Sequence, residues 1–171
     1  LEKEISRCKN IQMARKVQLN SAYGSVGNAY FRYFKLANAE AITLSGQVAI
    51  RWIENKLNQY INNVLKTKEI DYVIASDTDS VYLNMGPLVE TVYEGREKTT
   101  EGIVSFLDKI CKVEFEKYIE SCYQELAEYV NAYEQKMQMK RENIADRGIW
   151  TAKKRYILNV WDSEEIGRAH V

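Results

Sequence analysis

Residues 70–83 constrain this chain more than any other stretch. Tyr72-Val73-Ile74 and Val81-Tyr82-Leu83 are short β-rich runs, and Ser76-Asp77-Thr78-Asp79-Ser80 lies between them. β-branched and aromatic residues suit extended backbone, whereas Asp, Ser and Thr suit turns, so the pattern predicts a β-hairpin with Asp77 and Asp79 at its centre. Two carboxylates held together between buried arms repel each other unless a cation is present. Oxygen ligands, few in number and beside a phosphate site, fit Mg²⁺, which keeps waters and shares a substrate phosphate. A plain acidic surface turn has the same composition, and the apolar arms are what weigh against it.

The remaining elements surround this hairpin. Residues 3–24 contain helix formers and no Pro, which predicts a helix ending near Gly24, with Gly24 and Gly27 bracketing a short break. Asn38 to Leu65 carries Ile42, Leu44, Val48, Ile53, Leu57 and Ile61, the pattern of a long and largely buried helix. Residues 84–100, with Gly86-Pro87 and Gly95, read as loop with a helical turn. Glu101 to Tyr133 repeats apolar residues every three or four positions and predicts a second long helix, with Cys111 and Cys122 on one buried face. Lys136 to Ala145 and Ile149 to Trp161 read as strands. The sequence has no internal repeat and no low-complexity segment. The order predicts an α+β fold, with long helices on one face of a small antiparallel sheet.

Charge refines this picture. The 24 basic and 24 acidic residues cancel, yet residues 1–35 hold 7 basic against 2 acidic, residues 67–146 hold 9 against 17, and residues 147–171 hold 5 against 3. Basic ends around an acidic middle suit a protein that holds a polyanion with its ends and a metal with its centre; ordinary solvated helix faces produce the same unevenness. Three Cys and one His make a disulfide framework or a zinc site a poor fit and point to a reducing compartment. No apolar run is long enough to span a membrane.

Two further groups of residues can carry chemistry. Lys16, Asn20 and Tyr23 lie at i, i+4 and i+7, so a helix points them from one face over about 10 Å, close to the length of a nucleoside triphosphate. Lys can meet phosphate, Asn can hydrogen-bond to the nucleotide and Tyr can stack on a base, while Gly24 lets a base pair come close. Such spacing is also common on solvated helices. Lys153-Lys154-Arg155-Tyr156 puts three cations and an aromatic into a β-rich stretch, where alternation places Lys154 and Tyr156 on one face and Lys153 and Arg155 on the other. A strand of this kind can follow a nucleic-acid backbone; a charge-protected edge strand looks the same. Triphosphate, metal and nucleic-acid sites together are the parts needed for nucleotidyl transfer by two metals.

These residues resemble the motifs of family B DNA polymerases. Lys16 to Gly24 is similar to motif B (KxxxNSxYG), Asp77-Thr78-Asp79-Ser80 to motif C (DTDS), and Lys153-Lys154-Arg155-Tyr156 to the KKRY motif. They occur in the family's order. Phe31-Arg32-Tyr33 and Asn159-Val160-Trp161-Asp162 extend the resemblance toward the replicative polymerases of large tailed phages. The resemblance implies the end of a fingers helix over residues 1–30 and a partial palm over 31–164. It implies that Lys16 contacts the triphosphate, Asn20 lines the nucleotide pocket and Tyr23 lies under the nascent base pair. It makes Asp79 the principal Mg²⁺ ligand and Asp77 a weaker one, both catalytic. Lys153, Lys154, Arg155, Tyr156 and Gly24 would meet primer-template DNA. The implied setting is the cytoplasm of an infected bacterial host, with a deoxynucleoside triphosphate as substrate. A sliding clamp is a possible partner of the parent enzyme through a segment outside this chain.

There are departures from the family pattern. Ala75-Ser76 stands where the family commonly has Tyr-Gly, and Ser76 is expected to fit a tight turn less freely. Motif A, with the second essential carboxylate, would lie before Leu1, and for want of that carboxylate the 171 residues alone are expected to be inactive; the family's exonuclease, first fingers helix and thumb are not matched in this sequence either. Ile166-Gly167-Arg168-Ala169-His170-Val171 is similar to a translated sequencing adapter, so residues 165–171 and His170 are expected to carry no function. Two other readings explain fewer residues: a metal-dependent nucleotide-sugar transferase using the Asp-x-Asp turn, and a non-catalytic nucleic-acid-binding module.

Overall fold

A computed structural model describes residues 2–94, 99–152 and 154–163. They form two compact units, Leu1–Val48 and Ala49–Val171. The expectation for residues 165–171 falls outside the described residues, as do Gly95 of the expected loop and Lys153.

The first unit holds α1 (Glu2–Val26), a turn, and the first half of α2 (Leu36–Leu65). Glu2 and Glu4 occupy the first turn of α1, where carboxylates meet the positive end of the helix dipole. The helix passes through Gly24 and ends at Val26, two residues beyond the expected point and just before Gly27. A run of good helix formers carries it, and no residue of α1 is buried. The turn closes when Lys35 N–H donates to the Val26 carbonyl at 3.2 Å and Tyr30 N–H donates to Asn28 Oδ1 at 3.0 Å.

The second unit is built on the other half of α2. Ala49, Ile53, Leu57 and Ile61 recur every four residues and are buried, packing with Tyr72, Phe115, Ile119, Cys122, Tyr123 and Leu126 in one core. Beside this stripe Trp52, Tyr60 and Leu65 are half-buried against the same core. Ile42, Leu44, Val48 and Val64 are each at least half exposed, so the expected largely buried helix is amphipathic instead. Lys66, in the left-handed region at φ 55°, ends α2, with Thr67 N–H donating to the Asn62 carbonyl at 2.9 Å.

β1 (Val73–Asp77) and β2 (Ser80–Leu83) form the expected hairpin, with Ser76 opposite Val81 and Asp77 opposite Ser80. α3 (Gly86–Val92) begins with Pro87 in its first turn, where the missing N–H costs nothing. The second long helix comprises α4 (Thr100–Ile110), a π-helical turn (Cys111–Phe115) and α5 (Glu116–Tyr129). The wider turn changes the helix phase, so that Phe115 is buried while Cys111 stays half-buried and Cys122 alone of the two thiols joins the core. The helix stops at Tyr129 rather than Tyr133. Asn131, at φ 52°, takes the left-handed position after it, with Ala132 N–H donating to the Ala127 carbonyl and Asn131 N–H to that of Glu128.

Of the strand expected over Lys136 to Ala145, residues 136–142 are irregular and only Asn143 onward is extended. There β3 (Asn143–Ala152) and β4 (Arg155–Ser163) form a second antiparallel hairpin that pairs Trp150 with Tyr156 and Ala152 with Arg155. The mixed α+β class is confirmed, and the described strands fall into two two-stranded sheets.

Candidate nucleotide and nucleic-acid site

The carboxylate turn has two central residues, Thr78 and Asp79. Thr78 has φ 55°, a conformation natural for Gly and uncommon for a β-branched residue. Local bonds hold it. Asp79 N–H donates to the Asp77 carbonyl at 2.6 Å, the Ser80 hydroxyl donates to the same carbonyl at 3.1 Å, and the Thr78 hydroxyl donates to Asp77 Oδ1 at 3.1 Å. Ser76 is an ordinary ladder position opposite Val81, so the tight geometry belongs to Thr78 and not to Ser76. The arms are half-buried rather than buried, and Ile74 faces solvent.

Asp77 is half-buried and Asp79 exposed. Neither has an ion-pair partner among the described residues, and those residues contain no cluster of three or more acidic, His or Cys side chains suited to a metal. The donor set is therefore two hard oxygen ligands with one residue between them, which no ion pair neutralises among the described residues. That suits Mg²⁺ completed by water and substrate phosphate and does not make an all-protein cage. The negative charge reaches the core side of the hairpin: Tyr123, buried beside it, has its phenol pushed up by burial first and by Asp79 second.

The hairpin is anchored at its base by two amides that sequence reasoning missed. Asn58 Nδ2 donates to Asp71 Oδ1 at 2.8 Å, and its Oδ1 accepts the Tyr72 N–H at 2.8 Å. Asn62 Nδ2 donates to the Ile70 carbonyl at 2.7 Å, and its Oδ1 accepts the Ile70 N–H at 3.1 Å and the Thr67 hydroxyl at 2.8 Å. The i, i+4 spacing of two Asn near a helix end was the available signal.

The KKRY segment is not the middle of a strand. Lys154, at φ 62°, lies in the turn between β3 and β4, so strand alternation does not place it beside Tyr156. Arg155 and Tyr156 begin β4. Lys154 and Arg155 are exposed, and Tyr156 is 44% exposed. The Tyr82 ring, on β2, stands edge-on to Trp150 and to Tyr156, each at 5.4 Å between centroids, which brings the two hairpins together. The Tyr82 phenol is pushed up to about 12, first by burial, then by hydrogen bonding to Tyr156, with a Ser80 hydrogen bond opposing.

Arg141 braces the far end of the second hairpin. Its side chain is 7% exposed and meets Asp162 at 2.6 Å and, through Nη2, Asp108 of α4. Lys112 also bonds Asp108, at 3.0 Å. No sequence pattern announced this cluster, whose members come from α4, the π turn, the connection and β4.

In the first unit Lys16, Asn20, Tyr23 and Gly24 all lie on the continuous α1, exposed. The first three share one face by spacing, and nothing occupies the space where a Gly24 Cβ would project. No described helix is long and apolar enough to cross a membrane.

Comparison with known proteins sets this geometry in context. The model of DNA polymerase family B matches residues 2–170. The chain is 42% identical over 172 residues to the DNA-directed DNA polymerase of Enterobacteria phage T4, covering 96% of this chain and 19% of that protein. It is 43% identical over 161 residues to the DNA-directed DNA polymerase of Escherichia phage RB69, covering 90% of this chain and 18% of that protein. The chain thus spans about a fifth of the length of these curated relatives.

Proposed function

From the premise that this chain belongs to DNA polymerase family B, we propose that it carries the nucleotide, metal and duplex-gripping surfaces of a phage-type DNA polymerase. The parent enzyme extends a primer by template-directed deoxynucleotidyl transfer in the cytoplasm of an infected host. Residues 1–30 are the end of a fingers helix and its turn, and residues 31–164 are palm. The single observation that carries the reading is the pair Asp77 and Asp79 at a tight hairpin tip, without a described counter-cation, in a chain that matches the family over residues 2–170.

Each surface has a task that its chemistry fits. Lys16 supplies a point charge for the triphosphate, Asn20 an amide for the nucleotide, and Tyr23 a ring for the nascent pair, with Gly24 leaving room beside it. Asp79, with Asp77 as the weaker ligand, would hold Mg²⁺, on which family B polymerases generally depend. The ion, when bound, neutralises the triphosphate and activates the primer 3′ hydroxyl. Lys153, Lys154 and Arg155 offer cations to the primer-template backbone, and Tyr156 offers a half-exposed ring beside it.

Two titrations of the 171-residue chain test the reading. Mn²⁺ as a paramagnetic probe should broaden the amide resonances of residues 77–80, and Asp79→Asn should abolish the effect. Binding of a primer-template duplex should weaken with salt, and Lys154→Ala should lower the slope of log affinity against log salt by about one. Broadening that survives Asp79→Asn overturns the metal assignment, and a slope that Lys154→Ala leaves unchanged overturns the duplex assignment.

A further inference from the structure

Tyr82 has a place in the fold that its neighbours do not share. Val81 and Leu83 point to the core side of β2 and pack against the helical core, so alternation turns Tyr82 to the opposite face. Its described ring partners there are Trp150 and Tyr156, which stand directly opposite each other in the second hairpin. Trp150 and Tyr156 also stack, with centroids 6.5 Å apart and planes 28° apart. The next described pair outward is Ala152 with Arg155, and Lys154 lies in the turn beyond. No strand ladder joins the two sheets among the described residues. The three rings are therefore a direct contact between the two hairpins, close to both turns, through which one turn can sense the position of the other.

We propose that Tyr82 is a positioning residue: its ring, edge-on to Trp150 and Tyr156, fixes the cationic Lys154 turn relative to the Asp77–Ser80 turn. This deepens the reading above, since it rests on Lys154 meeting the duplex backbone. The geometry explains why an aromatic residue stands three positions after Asp79 on the face away from the core. A phosphate bound by Lys154 is thereby held at a set offset from the carboxylates, rather than at the end of an independently moving ribbon. Edge-to-face packing prefers a defined ring arrangement, which a flexible aliphatic side chain would not impose.

The test uses Tyr82→Leu, which keeps bulk and removes the aromatic edge, Tyr82→Phe, which keeps the ring, and Lys154→Ala, alone and combined. Far-UV circular dichroism and the resonances of the helical core confirm folding, and Trp150→Leu, which removes a ring on the other side of the same contact, carries the anisotropy comparison if Tyr82→Leu fails to fold. Two readouts are taken. The Trp150 indole N–H resonance in the free protein reports the ring arrangement without DNA, and anisotropy titration with a primer-template duplex at several salt concentrations reports positioning.

Tyr82→Leu is expected to shift the indole resonance, weaken duplex binding about tenfold and lower the salt slope by about one, as Lys154→Ala does. Adding Tyr82→Leu to Lys154→Ala should then cost little more, and Tyr82→Phe should restore both readouts. A side chain that merely stabilised the fold would leave the slope unchanged and add independently to Lys154→Ala; either result overturns the proposal, as does a shift that Tyr82→Phe fails to reverse. If the unsubstituted chain binds no duplex, the nucleic-acid reading fails, and the ring contact is judged by the indole resonance, which an unmoved signal in Tyr82→Leu overturns.

Discussion

The side-chain carbonyl of Asn58 accepts the backbone N–H of Tyr72 at 2.8 Å, one residue before the first strand of the carboxylate hairpin begins. Tyr72 is 2% exposed, so water cannot replace this bond. The same amide donates to Asp71, and one helical side chain thereby sets where the hairpin leaves the helical layer.

Asn58→Leu keeps the volume and removes both bonds. The stranded Tyr72 N–H should make the change cost about 2 kcal/mol, within the range for a buried unsatisfied donor. Urea denaturation should show a lower midpoint with an unchanged slope. A loss no larger than an exposed substitution produces would show that the base of the hairpin is anchored elsewhere.

Arg141 joins Asp108 and Asp162 from a side chain that is 7% exposed. Arg141→Met leaves both carboxylates without their shared cation, and a loss of about 2–3 kcal/mol is expected, tempered by their partial exposure. The Asp108 carboxyl is held below its usual value, by the Lys112 hydrogen bond first and Arg141 next. Its contribution is complete above the ordinary carboxylate pKa and is lost as pH falls through the lowered value. Acid unfolding of Arg141→Met should therefore begin at a higher pH than that of the unsubstituted protein.

Thr78 holds φ 55°, where a β-branched side chain is strained. Thr78→Gly removes that strain, and the extra freedom of Gly in the unfolded chain offsets part of the gain. A net stabilisation of up to about 1 kcal/mol is expected by thermal or urea denaturation. The variant also removes the hydroxyl that bonds Asp77 Oδ1. A destabilisation would mean that this hydroxyl outweighs the strain.

Tyr82 and Tyr118 both have phenols pushed up to about 12, chiefly by burial. The unfolded chain loses these protons near pH 10 while the folded protein keeps them, so their contribution is complete below pH 10 and declines as pH rises toward 12. Denaturation midpoints should fall across that interval, and Tyr82→Phe together with Tyr118→Phe should flatten the decline. Tyrosinate absorbance at low denaturant should show a late-titrating fraction that these substitutions remove.

The two hairpins differ in how visible they were. Asp77 to Ser80 combines turn-forming side chains with β-branched arms, a local signal that survives folding because the turn is held by its own bonds. The sequence from Ala152 to Arg155 has no Gly, Pro, Asn or Asp, and Lys154 occupies a left-handed conformation that its residue type does not advertise. A continuous strand was the natural reading of a continuous β-rich run. The Schellman end at Asn131 was likewise hidden, by apolar residues that continue to Tyr133 after the helix has stopped.

Amphipathic periodicity marks a face without saying what covers it. Ile42, Leu44 and Val48 belong to the same helix as Ile53 and Leu57, yet the former are exposed and the latter buried. The sequence by itself determined the residue types and spacings of the three motifs, the α+β class and the carboxylate turn, because these depend on neighbours along the chain. Tertiary structure decided that Tyr82 reaches Trp150 and Tyr156, that Arg141 joins Asp108 to Asp162, and that Asn58 anchors Tyr72. Those contacts join residues far apart in sequence, and their energies exist only once packing has excluded water and brought the partners within reach.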